Sequence, residues 1–323
     1  MPAPIRWDPP DIPFRAADVG VSRKVLWRCA AKGTIVQVIQ GVYLNAEAWP
    51  DDARGRHLMC ALAHQTRRAG LVASHATAAL ALDLPLPNTA RATDEAPIFT
   101  VPATDRNRSS RAPRVHSRDL TSRECTHLTE GAFSGLAITT APRTAVDLAA
   151  EHDVPEALIA LDAAARLAYS EFAFGKPRGH LDPRVLDGCR EPLFESAANH
   201  PKRGHVRNCI TAADPRRESP GESISAGVFI LAGLPPPTPQ FRVDADGVFY
   251  IDFGWPEYGV VGECDGMIKY QDHTVLVREK LRQEALERAG WLVVRWTYQE
   301  IVLRPEVVIA RVERALRRGG WLG

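Results

Sequence analysis

The chain has 323 residues, of which 45% are hydrophobic and 24% charged, and its formal net charge is +1. This composition is that of an ordinary globular protein, the length predicts two or three domains, and the total charge gives no argument for a nucleic-acid partner. No apolar run approaches the roughly 18 residues of a membrane span, and the first residues lack a secretory pattern. We therefore expect a cytoplasmic protein with no membrane partner. The six cysteines are scattered without a C-x-x-C pair, which predicts reduced thiols rather than a zinc site.

After a proline-rich start, the chain carries the signals of a small helical motif followed by a hairpin. A short helix is predicted over residues 15–19 and ends at Gly20. Ser22 is a good N-cap for a second helix that runs to about Ala31, and two short valine-rich strands then meet at Gly41. Helix, tight turn, helix and hairpin is the order of a winged helix-turn-helix.

The second helix separates apolar from basic residues. At 100° per residue, Val25, Leu26, Cys29 and Ala30 share one face. The first turns of a recognition helix enter the major groove and meet phosphates, so the opposite face is predicted to bind DNA. The alternative is a solvated basic face on a packing helix. The predicted DNA-binding residues are Ser22, Arg23, Lys24, Arg28 and Lys32.

The middle of the chain reads as a mixed α/β region over residues 49–215. Between two of its predicted strands lies a basic loop, residues 105–114, which is either solvated or in contact with phosphate. Helices are predicted over residues 57–69, 74–84, 140–150 and 155–168, and strands over residues 97–102, 114–117 and 135–139.

The last hundred residues change character and predict a compact α/β module. The sequence therefore predicts an α/β and α+β multidomain chain, divided into residues 1–48, 49–215 and 216–323. In the last of these, helices are predicted over residues 219–233, 275–289 and 306–316, and strands over residues 240–243, 248–253, 259–265 and 291–296.

Acidic residues stand inside apolar strands of this module. Residues 221–316 contain fourteen acidic and ten basic residues, a net charge of −4. Strand alternation places Glu263 and Asp265 on one face, and a neighbouring strand presents Asp252. Three unpaired carboxylates in a small volume repel one another, and a divalent cation, Mg²⁺ or Mn²⁺, would remove that cost. The alternative is an exposed edge strand. Lys269 follows closely enough to turn back toward such a site.

Four stretches of the C-terminal module resemble a known family. They are SPGES at residues 219–223, FYIDFGWPE, VVGECDGMIKY and EKLRQEALERAGWLVVRWT. Together they are similar to the PD-(D/E)XK nucleases, and in particular to the branch resembling very-short-patch-repair endonucleases. The resemblance implies a restriction-endonuclease-like α/β fold, in which Asp252, Glu263 and Asp265 bind Mg²⁺ and Asp252, Glu263, Lys269 and Glu222 are catalytic.

Two positions of this module carry further predictions. Asp265 stands where the family has its usual lysine, and Lys269, Lys280 or Arg282 are the candidates to replace that lysine. Glu222 also fits a capping box with Ser219, a role that does not exclude a second one at the metal.

The N-terminal part resembles a second family. The stretch FRAADVGVSRKVLWRCAAKGTIVQVIQGVYL, followed by SHATAALALDLPLP and GLAITTAPRTAVDLA, is similar to AbiEi-type antitoxins of type IV toxin–antitoxin systems. The resemblance covers about residues 12–150. It implies a winged helix that binds promoter DNA and, in antitoxins, represses an operon that encodes a nucleotidyltransferase toxin.

The sequence therefore predicts a DNA-binding protein with a metal-dependent endonuclease domain, in a phage-defence or toxin–antitoxin setting. A second interpretation is an AbiEi-type antitoxin or transcriptional repressor whose nuclease-like domain does not cut. A third is a protein-interaction scaffold, which needs neither DNA nor metal.

Overall fold

The computed structural model describes residues 7–104, 113–172, 182–266 and 273–323. The chain forms two compact units, residues 1–147 and 148–323. Three β-sheets and twelve α-helices occur in the described residues, which confirms a mixed α/β chain of more than one unit. The boundaries at residues 48 and 215 and the two family folds stay predictions. No helix in this part of the chain is long and apolar enough to cross a membrane.

Unit 1 contains two small sheets and several short helices. The helices are α1 (Arg23–Ala31), α2 (Ala53–Arg67), α3 (His75–Ala81), α4 (Thr89–Asp94) and α5 (Ala141–Ala149), the last of which contains the boundary between the units. The strands are β1 (Ile35–Ile39), β2 (Val42–Asn45), β3 (Val72–Ala73), β4 (Ile98–Val101), β5 (Arg114–Ser117), β6 (Cys125–His127) and β7 (Ala137–Thr139).

For the N-terminal motif, the predicted second helix and hairpin are confirmed, and the predicted first helix over residues 15–19 is wrong. Helix α1 begins after its cap Ser22, and β1 and β2 form an antiparallel pair. Residues 16–20, however, form turns instead of a helix. The Arg15 backbone N–H and guanidinium both donate to the Asp18 carboxylate, which stabilises a single turn, and Gly20 then leaves the right-handed region with φ 65°. A small apolar core of Phe14, Leu26 and Ile35 joins this turn to α1 and the hairpin.

The second sheet of unit 1 has the strand order β5-β4-β3-β7-β6. Its interior includes ionic groups: Arg143 is buried and lies 2.7 Å from Glu124 and 3.0 Å from the fully buried Asp147. Burial raises the pKa of Asp147 to about 6 in spite of that arginine. The ring of His75 stacks on His116 at 4.1 Å, and burial keeps the pKa of His75 well below its usual value.

Unit 2 places a helical layer before a four-stranded sheet. Its helices are α6 (Val154–Phe172), α7 (Pro183–Ala197), α8 (Arg203–Ala212), α9 (Pro220–Leu231), α10 (His273–Arg288), α11 (Tyr298–Leu303) and α12 (Pro305–Arg318). Its strands are β8 (Thr238–Asp244), β9 (Val248–Trp255), β10 (Val260–Asp265) and β11 (Leu292–Thr297).

The sheet of unit 2 has the order β11-β10-β9-β8, antiparallel except for the parallel pair of β10 and β11. Two apolar clusters pack on it. The first contains Val243, Ile251, Val261 and Leu286. The second is aromatic and contains Phe229, Phe253, Trp255 and Trp296. Burial of this apolar surface on the sheet holds α9 and α10 against the strands.

Helix α9 packs tightly against the start of α6 through a glycine. A Cβ added at Gly227 would lie 2.4 Å from the Cα of Pro155, which is too close for any side chain. The absence of a side chain at this position therefore sets how α9 lies on α6, and α9 is the helix that carries Glu222.

Replacing Gly227 with alanine is expected to destabilise the protein by about 1–3 kcal/mol, because the backbone of Pro155 must move. Gly204 is the matched control, since it also lies in a helix and has nothing within 4 Å of an added Cβ. Gly204→Ala is expected to leave stability unchanged or raise it by up to about 1 kcal/mol. Urea unfolding of both variants measures the difference, and equal effects would contradict the tight packing.

Candidate functional site

Asp252 lies on β9 at a point where the sheet is irregular. The β8–β9 ladder pairs Pro239 with Phe253 and Phe241 with Ile251 but skips the position between them, where Gln240 has a left-handed φ of 49°. In a regularly alternating strand, Ile251 and Phe253 would share one face. They instead pack into the two different apolar clusters, so the regular alternation of β9 is broken at Asp252.

The Asp252 carboxylate is partly buried and close to other acids. Its Oδ2 accepts a hydrogen bond of 2.9 Å from the backbone N–H of Cys264 on β10. Burial, together with the negative charges of Glu222 and Glu263, raises the pKa of Asp252 to about 7. Asp252 is therefore a carboxyl group that titrates near neutrality.

Glu222 lies in the first turn of α9 and is buried. Its backbone N–H donates to the Ser219 hydroxyl, so Ser219 caps α9 as predicted. The Glu222 half of the predicted capping box differs, because the Glu222 Oε1 accepts from the Ser219 hydroxyl at 2.8 Å instead of from the Ser219 backbone N–H. Its Oε2 accepts from the backbone N–H of Glu218 at 2.9 Å and from the Gln240 amide at 3.3 Å. Burial raises the pKa of Glu222, and its charge acts on Asp252 as well.

Glu263 lies on β10 and is buried between two arginines. Arg282 of α10 approaches Oε1 to 2.6 Å, and Arg295 of β11 contacts Oε2. Arg295 stands directly opposite Glu263 in the parallel ladder of β10 and β11. The fold therefore supplies two positive charges to Glu263.

The remaining predicted residues of this site have different surroundings. Asp265 lies 3.6 Å from Arg295 and is partly exposed. Of the candidates to replace the usual lysine, Arg282 lies at Glu263, Lys280 is exposed, and Lys269 lies outside the described residues.

Glu222, Asp252 and Glu263 thus come from three elements and form what we term the acidic centre. Among the described residues, the carboxylate oxygens of these three side chains do not all lie within 4.8 Å of one another. Side-chain rotation is needed before all three can bind one cation. Such rotation is limited at Glu263, which is held by its two arginines.

Two residues that contact the acidic centre, Arg295 and Gln240, were not predicted. Arg295 interrupts the apolar strand WLVVRW, a signal of the same kind that identified Asp252 and Glu263. Gln240 carries no such signal, because its position depends on a local irregularity of the strand.

The basic face predicted for α1 is exposed. Arg23, Lys24, Arg28 and Lys32 are all accessible to solvent, and the Ser22 hydroxyl accepts from the Val25 N–H at the helix start. Beside this face lies a groove of about 570 Å³ between α1 and the hairpin. The residues that line it include Arg15, Arg23, Gln37, Tyr43 and Trp27, the last of which is 73% exposed.

Comparisons with known proteins give relatives without an assigned activity. The chain is 29% identical over 191 residues to the uncharacterized proteins MT2308 and Rv2248 of two Mycobacterium tuberculosis strains. The match spans 58% of this chain and 64% of each relative. No family model matches the chain.

Replacing Asp252 with asparagine is expected to stabilise the protein at pH 8. The folded pKa of about 7 lies above the unfolded value of about 3.9, so the stabilisation from the protonated carboxyl is complete below about pH 4 and lost as the pH rises through 7. We expect a gain of about 2 kcal/mol at pH 8 that disappears toward pH 4, measured by denaturant unfolding with EDTA present.

The exposed Asp187 supplies the control for that experiment, since Asp187→Asn is expected to change stability equally little at both pH values. A pH-independent effect of Asp252→Asn would show that the Asp252 carboxylate is not held in an unfavourable environment.

Proposed function

We propose that this chain binds DNA through the basic face of α1 and hydrolyses phosphodiester bonds at the acidic centre with a divalent cation. The observation that carries the proposal is the convergence of three carboxylates, Glu222, Asp252 and Glu263, from α9, β9 and β10, of which Glu222 and Glu263 are buried. The raised pKa of Asp252, about 7, supports it. Carboxylates that raise each other's pKa are characteristic of functional sites, because bound substrate or metal relieves the repulsion.

A divalent cation such as Mg²⁺ or Mn²⁺ fits the donor set of the acidic centre. The candidate ligands are Asp252 and Glu263, with Glu222 beside them and Asp265 next along β10. Hard cations prefer carboxylate oxygens, and Asp252 has the least compensated of these charges. When bound, the ion would supply Lewis-acid activation of a phosphate and a water molecule of lowered pKa.

Residues of the chain itself supply the positioning and the charge neutralisation at this site. In this proposal Glu222 is positioned by its cap bonds, while Gln240 orients its second oxygen. Arg282 takes the place of the usual lysine as the permanent positive charge beside the scissile phosphate. An arginine does not deprotonate near neutral pH, so its role is to neutralise charge rather than to accept a proton.

Asp252→Ala is expected to abolish Mg²⁺-dependent cleavage of plasmid DNA, with a loss of at least about 100-fold, because a ligand and its charge are removed. Mg²⁺ is also expected to raise the melting temperature of the wild-type protein but not of this variant, since a bound ion stabilises only the folded state. Asp187→Ala is the control and should cleave normally. Equal cleavage by wild type and Asp252→Ala would place the reaction elsewhere.

DNA binding by α1 is supported by the exposure of its cations and of Trp27 together. Four basic side chains are exposed along the nine-residue α1 and its C-cap Lys32, and Leu26 anchors the opposite face in the core. An exposed tryptophan amid cations is costly in water but can contact base methyl groups or sugars in a groove. The hairpin β1–β2 follows α1 as the wing follows a recognition helix.

Removing one cation of α1 is expected to weaken DNA binding and its salt dependence together. For Arg28→Ala, the slope of log affinity against log salt should become shallower by about 0.9, the value for one phosphate contact. Arg91→Ala on α4 is the control, because Arg91 is exposed but pairs with Glu95. Gel shifts over a salt series measure both, and an unchanged slope for Arg28→Ala would contradict the assignment.

A second function, that of a DNA-binding repressor with an inactive nuclease-like domain, is favoured by one observation. Glu263 is already neutralised by Arg282 and Arg295, which lowers the gain from binding a metal. In this alternative the partner resembles the nucleotidyltransferase toxin of AbiEi-type systems. DNA binding without cleavage in Mg²⁺ or Mn²⁺, by wild type and Asp252→Ala alike, would select it.

A further inference from the structure

Unit 2 has a groove lined by arginines, and the functions proposed for α1 and for the acidic centre give this groove no role. The groove has a volume of about 550 Å³ and lies between β11, an edge strand of the sheet, and α12. Its charged lining consists of Arg295, Arg311, Arg314, Arg318 and Glu287. We call this surface the basic groove.

Two of its arginines are exposed and two are tied to the structure. Arg311 donates to the Glu300 carboxylate at 2.7 Å and to the backbone carbonyl of Arg295. Arg314 and Arg318 lie on the solvent side of α12. A second concavity of about 460 Å³ on the same helix is lined by these two residues together with Arg317 and Glu313, so arginines outnumber acidic residues along this part of α12.

The basic groove reaches the acidic centre through one residue. Arg295 lines the groove and also contacts Glu263. Arg295 is therefore shared by the basic groove and by the carboxylates that we propose bind a metal. A ligand that follows the groove would bring its negative groups to that centre.

We propose that the basic groove binds the phosphate backbone of the DNA that the acidic centre cleaves. This inference rests on the proposed function. Arg314 and Arg318 are four residues apart on α12, about 6 Å along the helix, which is comparable to two successive phosphate rises of about 3.4 Å measured along the axis of a DNA duplex. One guanidinium group can donate hydrogen bonds to two oxygens of a phosphate. Exposed arginines at this spacing can therefore bind the phosphates of a nucleic-acid backbone.

The test compares Arg314→Glu/Arg318→Glu with a matched pair, Arg184→Glu/Arg203→Glu, in the full chain. Both control residues are exposed on other helices of unit 2, and each double variant changes the charge by the same amount. Binding of a DNA duplex is measured in EDTA over a salt series, in a chain that also carries Arg23→Ala and Arg28→Ala to weaken the contribution of α1. Cleavage is measured separately, with Mg²⁺ and unaltered α1.

We expect the groove variant to lose at least about tenfold in affinity and its salt slope to become shallower by about 1.8, while the control pair is unchanged. In the cleavage assay its KM should rise with little change in kcat, because the acidic centre is intact. If the charge reversals unfold α12, seen by circular dichroism, Arg314→Gln/Arg318→Gln replaces them with the same expectation.

The remaining outcomes separate this inference from the proposed function. If the wild-type protein cleaves DNA and the groove variant has normal affinity and normal KM, the groove assignment is wrong and the proposed hydrolase function stands. A wild-type protein that does not cleave, but whose affinity falls in the groove variant, would overturn hydrolysis and keep the groove as a DNA-binding surface. If the Arg23→Ala/Arg28→Ala chain does not bind DNA at all, the groove assignment is wrong.

Discussion

Unit 2 depends on how unequally neighbouring donors and cations compensate its buried negative charges. Three carboxylates from α9, β9 and β10 lie near one another, and each has a different set of donors and cations around it. Glu263 has two arginines, and Glu222 has donors from its helix cap and from Gln240. Asp252 has one backbone donor, from Cys264, and its pKa rises to about 7. The fold thus concentrates the remaining electrostatic cost on one side chain, which is where a ligand of positive charge gains most.

Packing fixes the position of this charge. The N-terminus of α9 approaches β10 closely enough that a Cβ at Gly221 would lie 2.7 Å from the Cys264 sulfur. One turn later, the Ser225 hydroxyl donates to the Gly221 carbonyl and accepts from the Trp296 indole N–H. These contacts leave α9 little freedom to withdraw Glu222 from the sheet. Relief of the repulsion must then come from protonation or from a ligand, not from movement of the helix.

Local signals determined which features were predictable. Ser22 capping α1, and charged residues inside the apolar strands of Asp252 and Glu263, are readable within a few residues of sequence. Helices α7 and α11 carried no prediction, and the helix predicted over residues 15–19 is a turn stabilised by Asp18. The contact of Arg295 with Glu263 depends on parallel pairing of strands that are about thirty residues apart, and no local pattern gives that register.

Under the proposed nuclease function, the same register explains how Asp265 can occupy the position predicted for the family's lysine. In the proposed site the positive charge comes from Arg282 on a helix and Arg295 on the adjacent strand, so β10 itself needs to supply none. Asp265 then lies 3.6 Å from Arg295 and shares it with Glu263. One arginine beside two carboxylates leaves no excess positive charge at this point. In the proposal, the positive charge for a phosphate arriving along β11 therefore comes from the exposed Arg314 and Arg318. Under this proposal, the substitution of an acid for the lysine moves the cation from the strand to the edge of the groove, and does not remove it.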